Sequence, residues 1–112
     1  MTWANEQRQE LSRKVAEKFS LKPARLASDF PYETIWLHDD WHTIMNLCVK
    51  HGVYAYHDEY VNDTKDGTYK LATAQAYVID KSFDVPYLDF NDDPILAERI
   101  ARMLALMEIE VN

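Results

Sequence analysis

Only one cysteine, Cys48, occurs in the 112 residues. A single thiol excludes an internal disulfide and any zinc site that needs two or more thiolates, and it suits a reducing compartment. Glycine is almost missing: Gly52 and Gly67 are the two in the chain, one placed to end a helix and the other to close a turn. No Gly-rich loop exists to cradle a phosphate, which excludes nucleotide hydrolysis by a P-loop. Four prolines, no low-complexity stretch and no repeat of fixed period leave neither linker nor solenoid, so one globular domain over residues 1–112 is expected. Long hydrophobic runs are missing too. None approaches the roughly 20 residues that cross a bilayer, and the N-terminus mixes charge with Asn and Gln where a signal peptide would be apolar. A cytosolic protein without membrane contact is the expectation.

Basic charge is scarce after residue 25. Of 12 basic and 19 acidic side chains, residues 1–25 hold Arg8, Arg13, Lys14, Lys18, Lys22 and Arg25 against Glu6, Glu10 and Glu17, and the remainder is acidic enough to bring the whole chain to −7. A field of that sign repels nucleic acid and favours basic partners.

What is present is a 47% hydrophobic composition able to build a core. Leu11, Val15 and Phe19 recur every four residues and predict a helix over about 5–19. Pro23 disfavours its continuation, and a short turn or helix through 24–27 is expected to follow. Residues 32–37 read as a short strand. A second helix is capped by Asp39 or Asp40, ended by Gly52, and places Trp41, Ile44, Met45 and Cys48 on one face. Residues 53–61 and 68–79 predict a hairpin; in its second strand the small residues Ala72, Ala74 and Ala76 share a face suited to a packed helix. The acidic stretch 80–93 is broken by Pro86, with Tyr87, Leu88 and Phe90 as anchors or a short edge strand. Asp93 then caps a final helix with Pro94 in its first position. In that helix Ile95, Leu96, Ile100, Met103, Leu104 and Met107 form the apolar side, and Glu98, Arg99 and Arg102 the wet one. The order predicts an α+β single domain: a small, mostly antiparallel sheet with helices on one or both faces, sandwich-like.

The run Asp-Asp-Trp-His-Thr-Ile-Met-Asn-Leu at 39–47, the aromatic hairpin, and the closing Asn-Asp-Asp-Pro-Ile-Leu-Ala-Glu-Arg-Ile-Ala-Arg-Met-Leu-Ala-Leu at 91–106 resemble small bacteriophage accessory proteins of the ABA-sandwich type, over roughly residues 11–112. Amides and glycines often found before the last helix in that family are here Asp89, Asp92 and Asp93. The resemblance implies a phage origin, α-β-α layering and action on host machinery in the bacterial cytosol, including inhibition of defences such as CRISPR, restriction or nucleotide signalling.

Among chemistry-bearing residues, His38, Asp39, Asp40 and His42 are the densest group of metal-ligand types. The cap position places His38 outside the helix and off the face of His42, so they read as cap and exposed histidine, and no metal or cofactor is expected. His57, Asp58 and Glu59 are consecutive in a strand, where neighbours point to opposite faces and cannot converge as an acid-base pair. Cys48 reads as a core thiol, the nearest cation in sequence being Lys50. No nucleophile-base pair is visible, so a non-enzymatic protein is expected.

The acidic residues Asp63, Asp66, Asp80, Asp84, Asp89, Asp92 and Asp93 read first as turn and cap chemistry. Their second reading is a surface that imitates nucleic-acid phosphates. Tyr54, Tyr56 and Tyr60 share a strand face that either packs beneath a helix or forms an aromatic interface. Together these residues are the candidate partner-binding set. They point to a protein inhibitor of a basic host protein or defence complex, anti-CRISPR or similar, with no direct nucleic-acid contact. The alternatives are a module sequestering a nucleotide between helix and sheet with the basic N-terminal residues, and a structural or assembly protein, in which a homodimer buries the tyrosine face.

Overall fold

A computed structural model describes residues 5–20, 24–25, 34–35, 41–61 and 68–110. The chain runs through α1 (Asn5–Lys18), β1 (Ala24–Arg25), β2 (Thr34–Ile35), α2 (Trp41–His51), β3 (Val53–Val61), β4 (Thr68–Ala76), β5 (Ser82–Pro86), a 3₁₀ turn (Tyr87–Phe90) and α3 (Pro94–Glu108). β3, β4 and β5 form an antiparallel sheet in that spatial order, and β1 pairs with β2 as a separate antiparallel ribbon. This is the expected α+β class.

The sheet has two unlike faces because its strands alternate. Val53, Ala55, Ala72, Ala74, Ala76, Phe83 and Val85 lie on one side through the pairings Val53↔Ala76, Ala55↔Ala74, Ala74↔Phe83 and Ala72↔Val85. α3 packs on this side, chiefly against β4. Ala72 and Ala74 are fully buried, as are Ala97, Ala101 and Ala105, spaced every four residues along α3. Small residues on both partners allow helix and strand to approach closely, which is why the alanine face of the hairpin suits a helix. α1 and α2 pack against α3, and among the described residues no helix covers the other face. Of the two arrangements expected, the described residues show helices on one face.

Leu11 and Val15 of α1, Ile44, Leu47 and Cys48 of α2, and Ile100, Met103 and Leu106 of α3 complete one continuous core. The ends of α3 are well tied. Asp93 accepts hydrogen bonds from the N–H groups of Ile95 (3.0 Å) and Leu96 (3.2 Å), with Pro94 following in the first helical position. At the other end the Lys18 ammonium, from α1, donates to the carbonyls of Leu106 (2.9 Å), Met107 (2.7 Å) and Ile109. A cation on the last carbonyls of a helix meets both their unsatisfied lone pairs and the negative end of the dipole.

Three expectations are corrected. Ala24–Arg25 is a strand rather than a turn or helix, because it finds backbone partners in Thr34–Ile35 within the predicted 32–37 segment. β4 ends at Ala76, three residues early. There the chain turns: the Tyr77 N–H donates to Gly52 O (3.1 Å) and the Ile79 N–H to Ala76 O (3.3 Å). Gly52 holds φ of 72°, and a Cβ there would lie 3.1 Å from the Tyr77 ring, so both conformation and space favour glycine. Finally, residues 82–86 are the edge strand, Phe90 is buried and Leu88 is exposed. The proposed caps Asp39 and Asp40, with His38, lie outside the described residues. Among the described residues no helix is long and apolar enough to cross a membrane.

Candidate functional site: a tyrosine face and a polar cleft

The sheet face turned away from α3 carries Tyr54, Tyr56 and Asp58 on β3, Tyr69, Leu71, Thr73 and Gln75 on β4, and Ser82 and Asp84 on β5. Tyr54, Tyr56 and Tyr69 are 36%, 39% and 37% exposed, whereas Leu71 and Thr73 at the centre are buried. Local bonds hold the surface. The Tyr54 hydroxyl donates to Gln75 Oε1, the Tyr54 and Tyr77 rings lie 5.0 Å apart between centroids, and Thr73 Oγ1 donates to Asp84 Oδ1 at 2.7 Å. No Lys or Arg stands among these strand positions, so the face is aromatic, hydroxylated and acidic.

The candidate acidic residues are only partly brought together. Asp84 lies on this face. Asp80 shares a shallow cleft with Tyr54, Tyr77 and Lys81 at one end, and Asp92 shares another with Tyr69, Lys70 and Leu88 at the other. Asp93 is committed to capping α3, and Asp89 sits on the 3₁₀ turn. Asp63, Asp66 and the Tyr60 side chain lie outside the described residues. Asp58 and Tyr69 were missed as candidates. The strand register supplies them, since Asp58 faces Leu71 and Tyr69 faces Tyr60 across the β3–β4 pair.

A second site lies on the helix side. His57, on the same side of β3 as Val53 and Ala55, reaches two residues remote in sequence. Its Nε2 lies 2.8 Å from Glu98 Oε1, and its Nδ1 meets the Tyr87 hydroxyl. Arg102 Nε donates to Glu98 Oε2 at 3.2 Å. The sequence pattern puts Glu98 and Arg102 on the wet side of the last helix. Instead the Arg102 and Glu98 side chains are 11% and 18% exposed, because α3 is covered by the sheet and by two helices. Charge is tolerated there through pairing one helical turn apart. Cys48 is buried as expected, but Arg102 is its cationic neighbour rather than Lys50. Burial pushes the thiol up and the Arg102 hydrogen bond only partly opposes this, so the thiol stays protonated and unreactive at neutral pH.

His57, Tyr87, Pro94, Ile95, Glu98 and Arg99 line a cleft of about 510 Å³ beside this network. The connectivity is that of a triad, with a carboxylate orienting an imidazole that in turn meets a hydroxyl. The electrostatics oppose nucleophilic use of that hydroxyl. Burial, together with the carboxylates of Glu98 and Glu59, pushes the Tyr87 phenol up, so it keeps its proton and serves as a hydrogen-bonding wall. Because the folded value is raised, Tyr87 contributes stability that is fully present below about pH 10, the ordinary tyrosine value, and is lost as pH rises through the folded one. Unfolding free energy should therefore fall more steeply as pH rises above about 10 in the native chain than in Tyr87→Phe. Parallel pH profiles from denaturant titrations would refute this.

No family profile, curated protein or solved structure matches the chain. Its class is accordingly defined by its own geometry: among the described residues, an α+β arrangement of three α-helices, a three-stranded antiparallel sheet with one helix-covered and one tyrosine-bearing face, and a two-stranded ribbon.

Proposed function

We propose that this chain is a non-enzymatic binding protein that occludes a basic, nucleic-acid-handling host complex through its tyrosine face. The observation that carries this reading is the exposure of Tyr54, Tyr56 and Tyr69 beside Asp58 and Asp84, on a face that bears no basic strand residue. Tyrosine offers a large contact area at small entropic cost, and carboxylates around it select a basic partner and steer its approach. In keeping with the resemblance to phage ABA-sandwich proteins, the partner is a bacterial defence complex, and occlusion is steric and electrostatic.

The nucleotide-sequestering alternative needs the basic N-terminal residues at a ligand. Arg13 is instead engaged by Glu10 and Glu17 on the exposed side of α1, and Lys18 holds the end of α3. Neither lines the cleft between α3 and β3.

The test is capture of a nucleic-acid-binding complex from bacterial lysate at about 0.1 M and about 1 M salt, where screening lengths are roughly 10 Å and 3 Å. A single basic complex should be enriched at low salt and released by competing nucleic acid. Tyr56→Ala with Tyr69→Ala should weaken capture about tenfold or more, as interface tyrosines do, and Asp80→Asn with Asp92→Asn should flatten the salt dependence. Capture that is indifferent to salt and to the tyrosines would overturn the reading.

A further inference from the structure

We propose that the cleft between α3 and β3 receives the ammonium or guanidinium end of a lysine or arginine side chain from the bound partner. This rests on the reading of the partner as basic, but it concerns the opposite side of the sheet from the tyrosine face. Three features of the cleft fit such a group. The Tyr87 ring and the apolar Pro94 and Ile95 line it, which suits an alkyl stem. An aromatic ring also attracts a cation over its face. Lone pairs remain for a donor: the Tyr87 oxygen has two beyond its own O–H, and each Glu98 oxygen, bonded to His57 or to Arg102, can accept another.

Glu98 and Glu59 both act on Tyr87, second to burial, and Glu98 already holds Arg102, so an incoming cation would share the Glu98 carboxylate with that guanidinium. Arg99 lines the same cleft, and Lys70 stands opposite Glu59 in the strand register, so the incoming cation belongs on the Tyr87–Glu98 side. A volume of about 510 Å³ accommodates one long side chain and its water.

The probes are single capped amino acids, so the test does not depend on capturing any partner. N-acetyl-arginine methylamide and N-acetyl-lysine methylamide are titrated into the full chain, with shifts followed by NMR. N-acetyl-norleucine methylamide is the uncharged control and spermidine the free-polyamine control. Both cationic probes should shift Tyr87, His57 and Glu98 and bind about fivefold or more tightly than norleucine, as a partly desolvated cation over a ring does. Ile95 is 60% exposed at the rim, so its replacement spares the core. Ile95→Lys should weaken the cationic probes about threefold and Ile95→Glu strengthen them similarly, from one added charge at the mouth.

Equal binding of norleucine, shifts centred elsewhere, or indifference to both Ile95 variants would overturn the proposal. Spermidine binding in the cleft about tenfold tighter than capped lysine would overturn its assignment to a partner side chain. Complex capture left unchanged by the tyrosine variants, alongside retained probe binding, would count against the tyrosine face only. Retained capture with no probe binding would count against the cleft only.

Discussion

Ala74→Leu is expected to lower the melting temperature by roughly 5–20 °C, equivalent to about 1–3 kcal/mol for a domain of this size. Ala74 is fully buried at the centre of the middle strand, paired with Ala55 on one side and Phe83 on the other, beneath α3. Three added heavy atoms have no space to enter unless the helix is displaced. Since α3 also carries Glu98 and Arg102 and adjoins Tyr87, displacement would disturb the polar cleft as well as the core. Thermal unfolding followed by circular dichroism measures the loss. Val78→Ser is the control: Val78 is 74% exposed in the following turn, and its replacement should alter stability by no more than about 0.5 kcal/mol. A leucine variant as stable as the native chain would mean that α3 is not held against β4 by the fit of small residues. Stability of small domains is about 5–15 kcal/mol, so an effect of the expected size is readily measured.

The alanine stripe was legible in the sequence because period-two alternation is a local property. Ala72, Ala74 and Ala76 on one side and Tyr69, Leu71, Thr73 and Gln75 on the other can be assigned without any knowledge of the partner strands. Asp93-Pro94 was legible for a similar reason, since a cap and its first-turn proline lie within four residues of the amides they serve. The alternation left open whether the tyrosines pack beneath a helix, because that depends on where a distant segment lands. α3 lands on the alanines and leaves Tyr54 and Tyr56 half-exposed.

The boundary of β4 failed because the chain turns, Ile79 N–H to Ala76 O, where its partner strand gives way to Gly52 and α2, and no Gly or Pro in residues 76–79 marks that point. The polar cleft was not legible at all as a site. His57, Tyr87 and Glu98 are about 30 and 11 positions apart in turn and come from a strand, a 3₁₀ turn and a helix. One signal was available: Glu98 and Arg102 stand four apart in a helix whose other positions are mostly apolar, so a buried pair explains them as well as a wet face does.

That pair sets the other large expected effect. Arg102→Ala should destabilise the chain by about 2–4 kcal/mol, near the cost of removing one partner from a buried ion pair. The Glu98 carboxylate would be left in a site where it is 18% exposed, still bonded to His57. Some of the cost is relieved because Glu98 keeps that bond, which places the expectation at or below the usual range for a fully buried pair. Glu98→Gln alone should cost a comparable amount, since it strips the counter-charge from a guanidinium that is only 11% exposed. Arg102→Met combined with Glu98→Gln removes both charges while keeping similar shapes, so its cost should fall short of the sum of the singles by about 1–3 kcal/mol. Glu98→Gln also removes one of the carboxylates that hold the proton on Tyr87, so the phenol should titrate at lower pH than in the native chain. Ultraviolet titration of tyrosine, compared against Tyr87→Phe to assign the signal, reads this shift independently of stability. Additive stability losses together with an unmoved Tyr87 titration would show that Glu98 does not join Arg102 to the His57–Tyr87 end of the network, and that the cleft is bounded by separate contacts instead of one connected chain of hydrogen bonds.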